Sequence, residues 1–292
     1  MMRQTLIRSS VRVSGLIAAA ACLIGCLAAP AALFAQPAAA PPPAPAAPRI
    51  ADTDEQRIAD LVEANHILAN ERVLDGLGHI SVRSVARPGH YFMVRSMAPT
   101  AATRADIVEF DENGKGIDDR GRAVYAERFI HGEIYRARPD VQAIVHSHAA
   151  AVLPFTITGA PFAPAIHMAS FIGVDPAPTF DIRDVYGADN RLLIANAESG
   201  AALAKTLGNR NILLIRGHGF VVVTGPEGQP VRWVAARTFF TQQNAEVLAQ
   251  GLLLGKPKFL NRFEVNFVPG VLAPWWEQYS IRAAGAAPDK GP

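Results

Sequence analysis

The chain has 292 residues and a formal net charge of +2 at pH 7, with 50% hydrophobic and 18% charged residues. No cluster of Lys and Arg interleaved with aromatics stands out, so no nucleic-acid partner is expected. The two cysteines, Cys22 and Cys26, both fall near the N-terminus, so the rest of the chain has neither a disulfide to form nor a thiolate to offer a metal.

Residues 1–35 read as a secretory signal. Arg3, Arg8 and Arg12 form a basic head, Leu16 to Leu27 an apolar core, and small residues lead to Ala35 and Gln36. Cleavage after Ala35 and export to the periplasm are expected. Leu23-Ile24-Gly25-Cys26 also resembles a lipobox, and acylation of Cys26 would be the chain's one expected attachment to a membrane. Residues 36–50 form an Ala/Pro-rich linker. The remainder, 51–292, is about 240 residues, enough to bury one sizeable core.

Thr53 and Gln56 can form a capping box, followed by a helix that carries Ile58, Leu61, Val62, Ile67 and Leu68 and ends near Asp75-Gly76. Strands are predicted over 78–83, 91–95 and 107–110, the last closed by the turn-rich 111–114. A helix from Tyr125 to about Ala137 carries Glu127 and His131 four residues apart on one face; His131 is read as packing between helix and sheet. Val141 to Val145 is an apolar strand that runs into His146-Ser147-His148. Side-chain direction repeats every second residue on a strand, so the two histidines point the same way.

A short helix should follow His148. A strand is then predicted over 191–194, a helix over 198–207 and a strand over 211–215. The last leads into Gly217-His218-Gly219 and a hairpin partner over 220–223. A long helix from Val231 to Leu254 closes the pattern. Trp275-Trp276-Glu277-Gln278-Tyr279 is aromatic enough for a subunit interface or a lid, or packs on its own domain. Short hairpins mixed with helices predict an α/β fold, a three-layer α/β/α sandwich around a mostly antiparallel sheet.

Glu127, His146, His148 and His218 bring together three imidazoles and a carboxylate. On the residues alone they are either a nitrogen-rich site for Zn²⁺ or another borderline divalent ion, or unrelated polar groups at the edge of a core.

In order and spacing these four residues resemble the metal signature of the class II aldolase/adducin superfamily, and the similarity runs from about residue 54 to 255. The resemblance implies one divalent metal ion per subunit, Zn²⁺ first and Mn²⁺ or Fe²⁺ as alternatives. It implies His146, His148 and His218 as ligands, with Glu127 completing the shell or moving protons. It also implies a homotetramer. Such enzymes break a carbon–carbon bond and leave its electrons on an enolate.

The chain departs from the sugar-phosphate aldolases where those enzymes grip phosphate. Gly78-His79, Arg95-Ser96 and Tyr125-Ala126 stand at the three phosphate-binding elements, and Met168 stands at the place of a proton-donating tyrosine. Together with Glu-Arg-Phe-Ile-His-Gly-Glu-Ile-Tyr from Glu127, these stretches look most like the decarboxylase branch, which handles carboxy-substituted ring-cleavage products and hydroxy-aryl carboxylates. The expectation is decarboxylation of a small unphosphorylated oxo- or hydroxy-carboxylate. Glu127 and His79 are the expected catalytic groups, and Arg83, Arg95 and Ser96 the expected substrate-binding residues, with Arg128 as a further carboxylate donor. An aldolase or epimerase on a hydroxy-carbonyl substrate is the alternative, and a non-catalytic adducin-like binding module the second.

Overall fold

The computed structural model describes residues 52–117, 119–265 and 269–285; the expected signal and linker lie outside the described residues. Seven strands, β1 (His79–Arg83), β2 (His90–Val94), β3 (Ile107–Asp111), β4 (Ala143–Ser147), β5 (Thr179–Phe180), β6 (Ile212–Ile215) and β7 (Gly219–Thr224), form one sheet in the order β3-β2-β1-β4-β7-β6-β5. Every pairing is antiparallel except β5 with β6.

Both faces of the sheet are covered, so its strands are apolar on both sides and still obey the two-residue alternation. Ile80, Val82, Val145, Leu214 and Val222 face a core built with Leu61, Leu68 and Val234, from α1 (Asp54–Asn70) and α6 (Pro230–Leu254). Ile144, Leu213, Val221 and Val223 face the opposite way, onto Ile130, Ile134 and Leu203 of α2 (Arg128–Ala137) and α5 (Ala197–Leu207). Helices α3 (Leu153–Thr158) and α4 (Arg183–Tyr186) lie in the connections, and α7 (Leu272–Gly285) is the last described helix. This is the three-layer α/β/α sandwich that the hairpin pattern predicted. Each fully buried Leu or Ile of these two cores contributes about 1.5–3 kcal/mol.

Local differences have local causes. Thr53 caps α1 by accepting the Gln56 amide at 3.2 Å, but the Gln56 side chain turns to Asp60 at 2.9 Å, so only half of the capping box forms. The strand predicted over 191–194 is absent: Leu192 has φ +58°, outside any strand conformation. Trp275 and Trp276 are buried in the core of their own domain, with Trp275 5.7 Å from the Phe239 ring centroid.

A candidate metal centre at the end of the sheet

The alternation that sorts the two cores also aims the site. His146 shares its face with Ile144, and His148 continues that direction just past the end of β4. Pairing of β1 with β4 sets His79 opposite His146. His218 sits in the tight turn between β6 and β7, where Gly217 has φ +64°. A Cβ on Gly219 would lie 2.4 Å from the Ser147 carbonyl oxygen, so only glycine lets this hairpin lie against β4. Glu127 is the N-cap of α2, not a residue within it as predicted, and it is buried at the same end of the sheet.

These placements bring one ligand atom each from Glu127, His146, His148 and His218 within 4.8 Å of one another. Nε2 of His148 is 3.0 Å from Nε2 of His146 and 3.2 Å from Nε2 of His218. A Glu127 carboxylate oxygen is 3.6 Å from His146 and 3.3 Å from His218. Bond lengths of about 2.0–2.1 Å to a tetrahedral ion imply donor–donor edges of about 3.3 Å, which is the scale of these separations.

The far side of each ring shows why the cluster fits a cation. His146 Nδ1 is 3.1 Å from the Phe220 carbonyl oxygen and His218 Nδ1 is 2.7 Å from that of Leu192. His148 Nδ1 is 3.1 Å from an Asp75 carboxylate oxygen. Those partners only accept, so each neutral ring carries its proton on Nδ1 and turns a bare Nε2 lone pair inward. Three lone pairs about 3 Å apart repel one another unless a positive charge sits between them. The residues fit a divalent ion.

The surrounding charges agree. Burial opposes the charge on Glu127, but the hydrogen bonds and attraction that His146 and His218 supply when Nε2 carries a proton, the place a cation would take, outweigh it and hold the carboxyl far below the usual range. Burial, together with neighbouring His146, lowers the pKa of His148. Burial also pulls on His218, but the Glu127 carboxylate wins and raises it. His79 is pushed well below the ordinary imidazole range by burial and by His131, so it is neutral.

The cluster opens into a cavity of about 430 Å³ lined by Asp75, Leu77, His79, Ser96, Tyr125, Ala126, Glu127, His148, Leu192, Leu193, Gly217 and His218. All three segments singled out at the phosphate-binding positions therefore reach it, through His79, Ser96, and Tyr125 with Ala126. The arginines do not. Arg83 lies four residues along β1 from His79, about 13 Å at 3.3 Å per residue. There it donates to the Val141 and Arg138 carbonyls, pairs with Glu112 at 3.1 Å, and covers the Tyr135 ring at 4.5 Å. Arg95 is paired with Asp106 at 2.7 Å, and Arg128 donates to the Gly114 and Tyr125 carbonyls. Among the described residues, no Arg or Lys lines the cavity.

Other contributors were not read from the sequence. Asp75 holds His148 and also accepts the Gly78 amide at 2.7 Å. The segment carrying Leu192 clamps two ligands at once: its carbonyl holds His218, and the Ile194 amide donates to Glu127 at 3.1 Å. The Asp-Gly pair at 75–76 was read as the end of the first helix, which stops earlier, at Asn70; that Asp75 would meet a histidine 73 residues away was not visible.

The largely buried imidazole–carboxylate cluster, open to a small-molecule cavity, is the candidate centre of a metal-dependent lyase. Residues 59–233 match the Class II Aldolase and Adducin N-terminal domain, and the chain belongs to that family. It is 38% identical over 209 residues to Decarboxylase tropJ of Talaromyces stipitatus, covering 68% of this chain and 77% of that one. It is 29% identical over 175 residues to a 3,4-dihydroxyphthalate decarboxylase of Arthrobacter keyseri, covering 58% and 69%. The fold matches an aldolase II superfamily protein from Pseudomonas syringae with a TM-score of 0.65 at 18% identity, over 81% of this chain and 96% of that one.

Proposed function

We propose that the chain is a divalent-metal-dependent decarboxylase of an unphosphorylated oxo- or hydroxy-carboxylic acid, with Zn²⁺ as the ion of first choice. The observation that carries this reading is the four-donor cluster opening onto a cavity with apolar walls and no guanidinium or ammonium group in its described lining. A phosphate dianion would find no such partner there. The relatives named as decarboxylases support the same choice, one of them for a dihydroxylated aromatic acid.

His146, His148, His218 and Glu127 would hold the ion. Bound there, it supplies a Lewis acid that takes up negative charge as the carbon–carbon bond parts. Leu77, Leu192, Leu193 and Tyr125 would enclose the substrate skeleton and keep water from it. Ser96 and His79 are the polar groups that face it. The electron pair of the broken bond stays on the substrate as CO₂ leaves, and a proton from solvent takes the place of CO₂ on that carbon.

The test is to load the protein with Zn²⁺, Mn²⁺ or Fe²⁺, incubate it with a panel of oxo- and hydroxy-carboxylates, and measure CO₂. Release of an aldehyde and a ketone instead would favour the aldolase alternative, and a purified protein that binds no metal would favour the binding module. Export as a periplasmic protein, cleaved after residue 35 or lipidated at Cys26, remains part of this reading on its sequence pattern, and N-terminal analysis of the mature protein tests it. The homotetramer is carried forward from the resemblance; exposed Leu253, Leu254 and Phe263 offer apolar surface for a subunit contact, and light scattering tests it.

A further inference from the structure

The two ring nitrogens of His79 have different surroundings. Nδ1 lies 2.7 Å from Nε2 of His131. Nε2 is buried with no hydrogen-bond partner, on a ring that lines the cavity. His131, itself fully buried, is held from behind: its Nδ1 is 2.6 Å from Ser81 Oγ, which is 2.8 Å from the Tyr135 hydroxyl. Tyr135, Ser81, His131 and His79 thus form one chain between α2 and β1 that ends at the substrate cavity. Among the described residues the Tyr135 hydroxyl meets no hydrogen-bond partner but Ser81.

With both imidazoles neutral, the chain has two proton arrangements. In the first, Tyr135 donates to Ser81, Ser81 to Nδ1 of His131, and Nε2–H of His131 to Nδ1 of His79. The His79 proton then sits on Nε2, a buried atom without a protein partner on a ring that lines the cavity. In the second, every bond is reversed and the unmatched Tyr135 hydrogen points into closed core. Each arrangement leaves one hydrogen unmatched, on Nε2 of His79 in the first and on Tyr135 in the second; only His79 lines the cavity, where water or a ligand can be brought against the ring, so the first arrangement prevails.

We propose that Tyr135, Ser81 and His131 are positioning residues that fix His79 as a neutral imidazole protonated on Nε2, a hydrogen-bond donor to an anionic oxygen of the substrate. This gives the cavity the donor that its lining lacks in arginine and lysine. It also separates His79 from the proton that replaces CO₂. Giving up the Nε2 proton to carbon would shift the whole chain by one step and leave a phenolate at Tyr135, whose ionisation burial strongly disfavours. The chain therefore sets a tautomer and does not deliver protons. The identity of the oxygen rests on the decarboxylase reading; the tautomer does not.

The experiment is ¹⁵N-histidine NMR on the full chain loaded with Zn²⁺ and free of substrate, with the His79 signals assigned by their loss in His79→Gln. The expected result is a protonated Nε2 and a bare Nδ1 on His79, and the opposite tautomer or a doubly protonated ring overturns the proposal. Because the readout needs no turnover, failure to release CO₂ would sink the decarboxylase reading alone. Kinetics with an active substrate supply the second arm. His79→Leu is expected to lower kcat by about 10²–10³-fold, as for loss of one oxyanion donor. His131→Leu should lower kcat more than it raises KM, and His131→Gln, which keeps an amide donor, should recover part of the loss. A folded, metal-replete His131→Leu with unchanged kcat overturns the proposal.

Discussion

The two ends of β1 are both crowded with polar side chains and behave in opposite ways. At the far end, Arg83 is saturated: carbonyls, Glu112 and the Tyr135 ring use up its donors and its face, and Arg57 beside it pairs with Asp52 at 2.6 Å. At the near end, His146, His148 and His218 spend their protons outward and leave three lone pairs facing one another, and His79 has a nitrogen with no partner. What marks the functional end is incompleteness, a set of groups satisfied only once something binds.

The sharpest break in that comparison is to remove a ligand. His146→Ala or His218→Ala should abolish metal retention and lyase activity together while the folded chain persists, measured as metal content by mass spectrometry beside CO₂ release. Acidification should act in the same direction. Ligand imidazoles must be neutral, so protons compete with the ion and affinity falls as pH falls. His218 is raised above the ordinary imidazole value of about 6.5 by Glu127, while His148 is lowered by burial. The His218 proton should therefore be the first to compete with the ion as pH falls. Chelator competition between pH 5 and 8 would show it, and affinity that is flat or rises on acidification would refute the assignment.

Next in size is Asp75→Asn, which removes the carboxylate behind His148 without touching a ligand. Loss of such a partner weakens metal affinity by about 10–100-fold, and titration calorimetry should find it in that range. At the saturated end the pattern reverses. Arg83→Met should cost about 1–3 kcal/mol of stability by orphaning buried carbonyls and Glu112, seen as a lower midpoint in urea, with kcat and KM unchanged. A large KM effect would restore Arg83 to the substrate-binding set.

The sandwich was legible because strand alternation and helix periodicity survive burial on both faces, and the ligands were legible because His146 and His148 share a strand face. Their supports were not. The partners of His146 and His218 are backbone carbonyls, which every residue carries, so no residue type announces them. Arg83 was assigned to the substrate because a guanidinium suits a carboxylate and its stretch resembles the decarboxylase branch, but a five-residue strand carries Arg83 far from His79 at its other end. Leu192 and Leu193 looked like a strand by composition, while the site needs a backbone bend there.

That bend has a thermodynamic reach beyond the loop. A leucine at φ +58° is held in a conformation about 1–2 kcal/mol above its preferred one, and it is tied to His218 and, through Ile194, to Glu127. Reciprocity then couples occupancy to order: whatever steadies this segment tightens the ion, and the ion steadies the segment by the same amount. Leu192→Gly should raise metal affinity slightly, by less than about tenfold. The Ile194 amide should exchange with deuterium faster in metal-stripped protein, making it a built-in gauge of how much of the population is loaded.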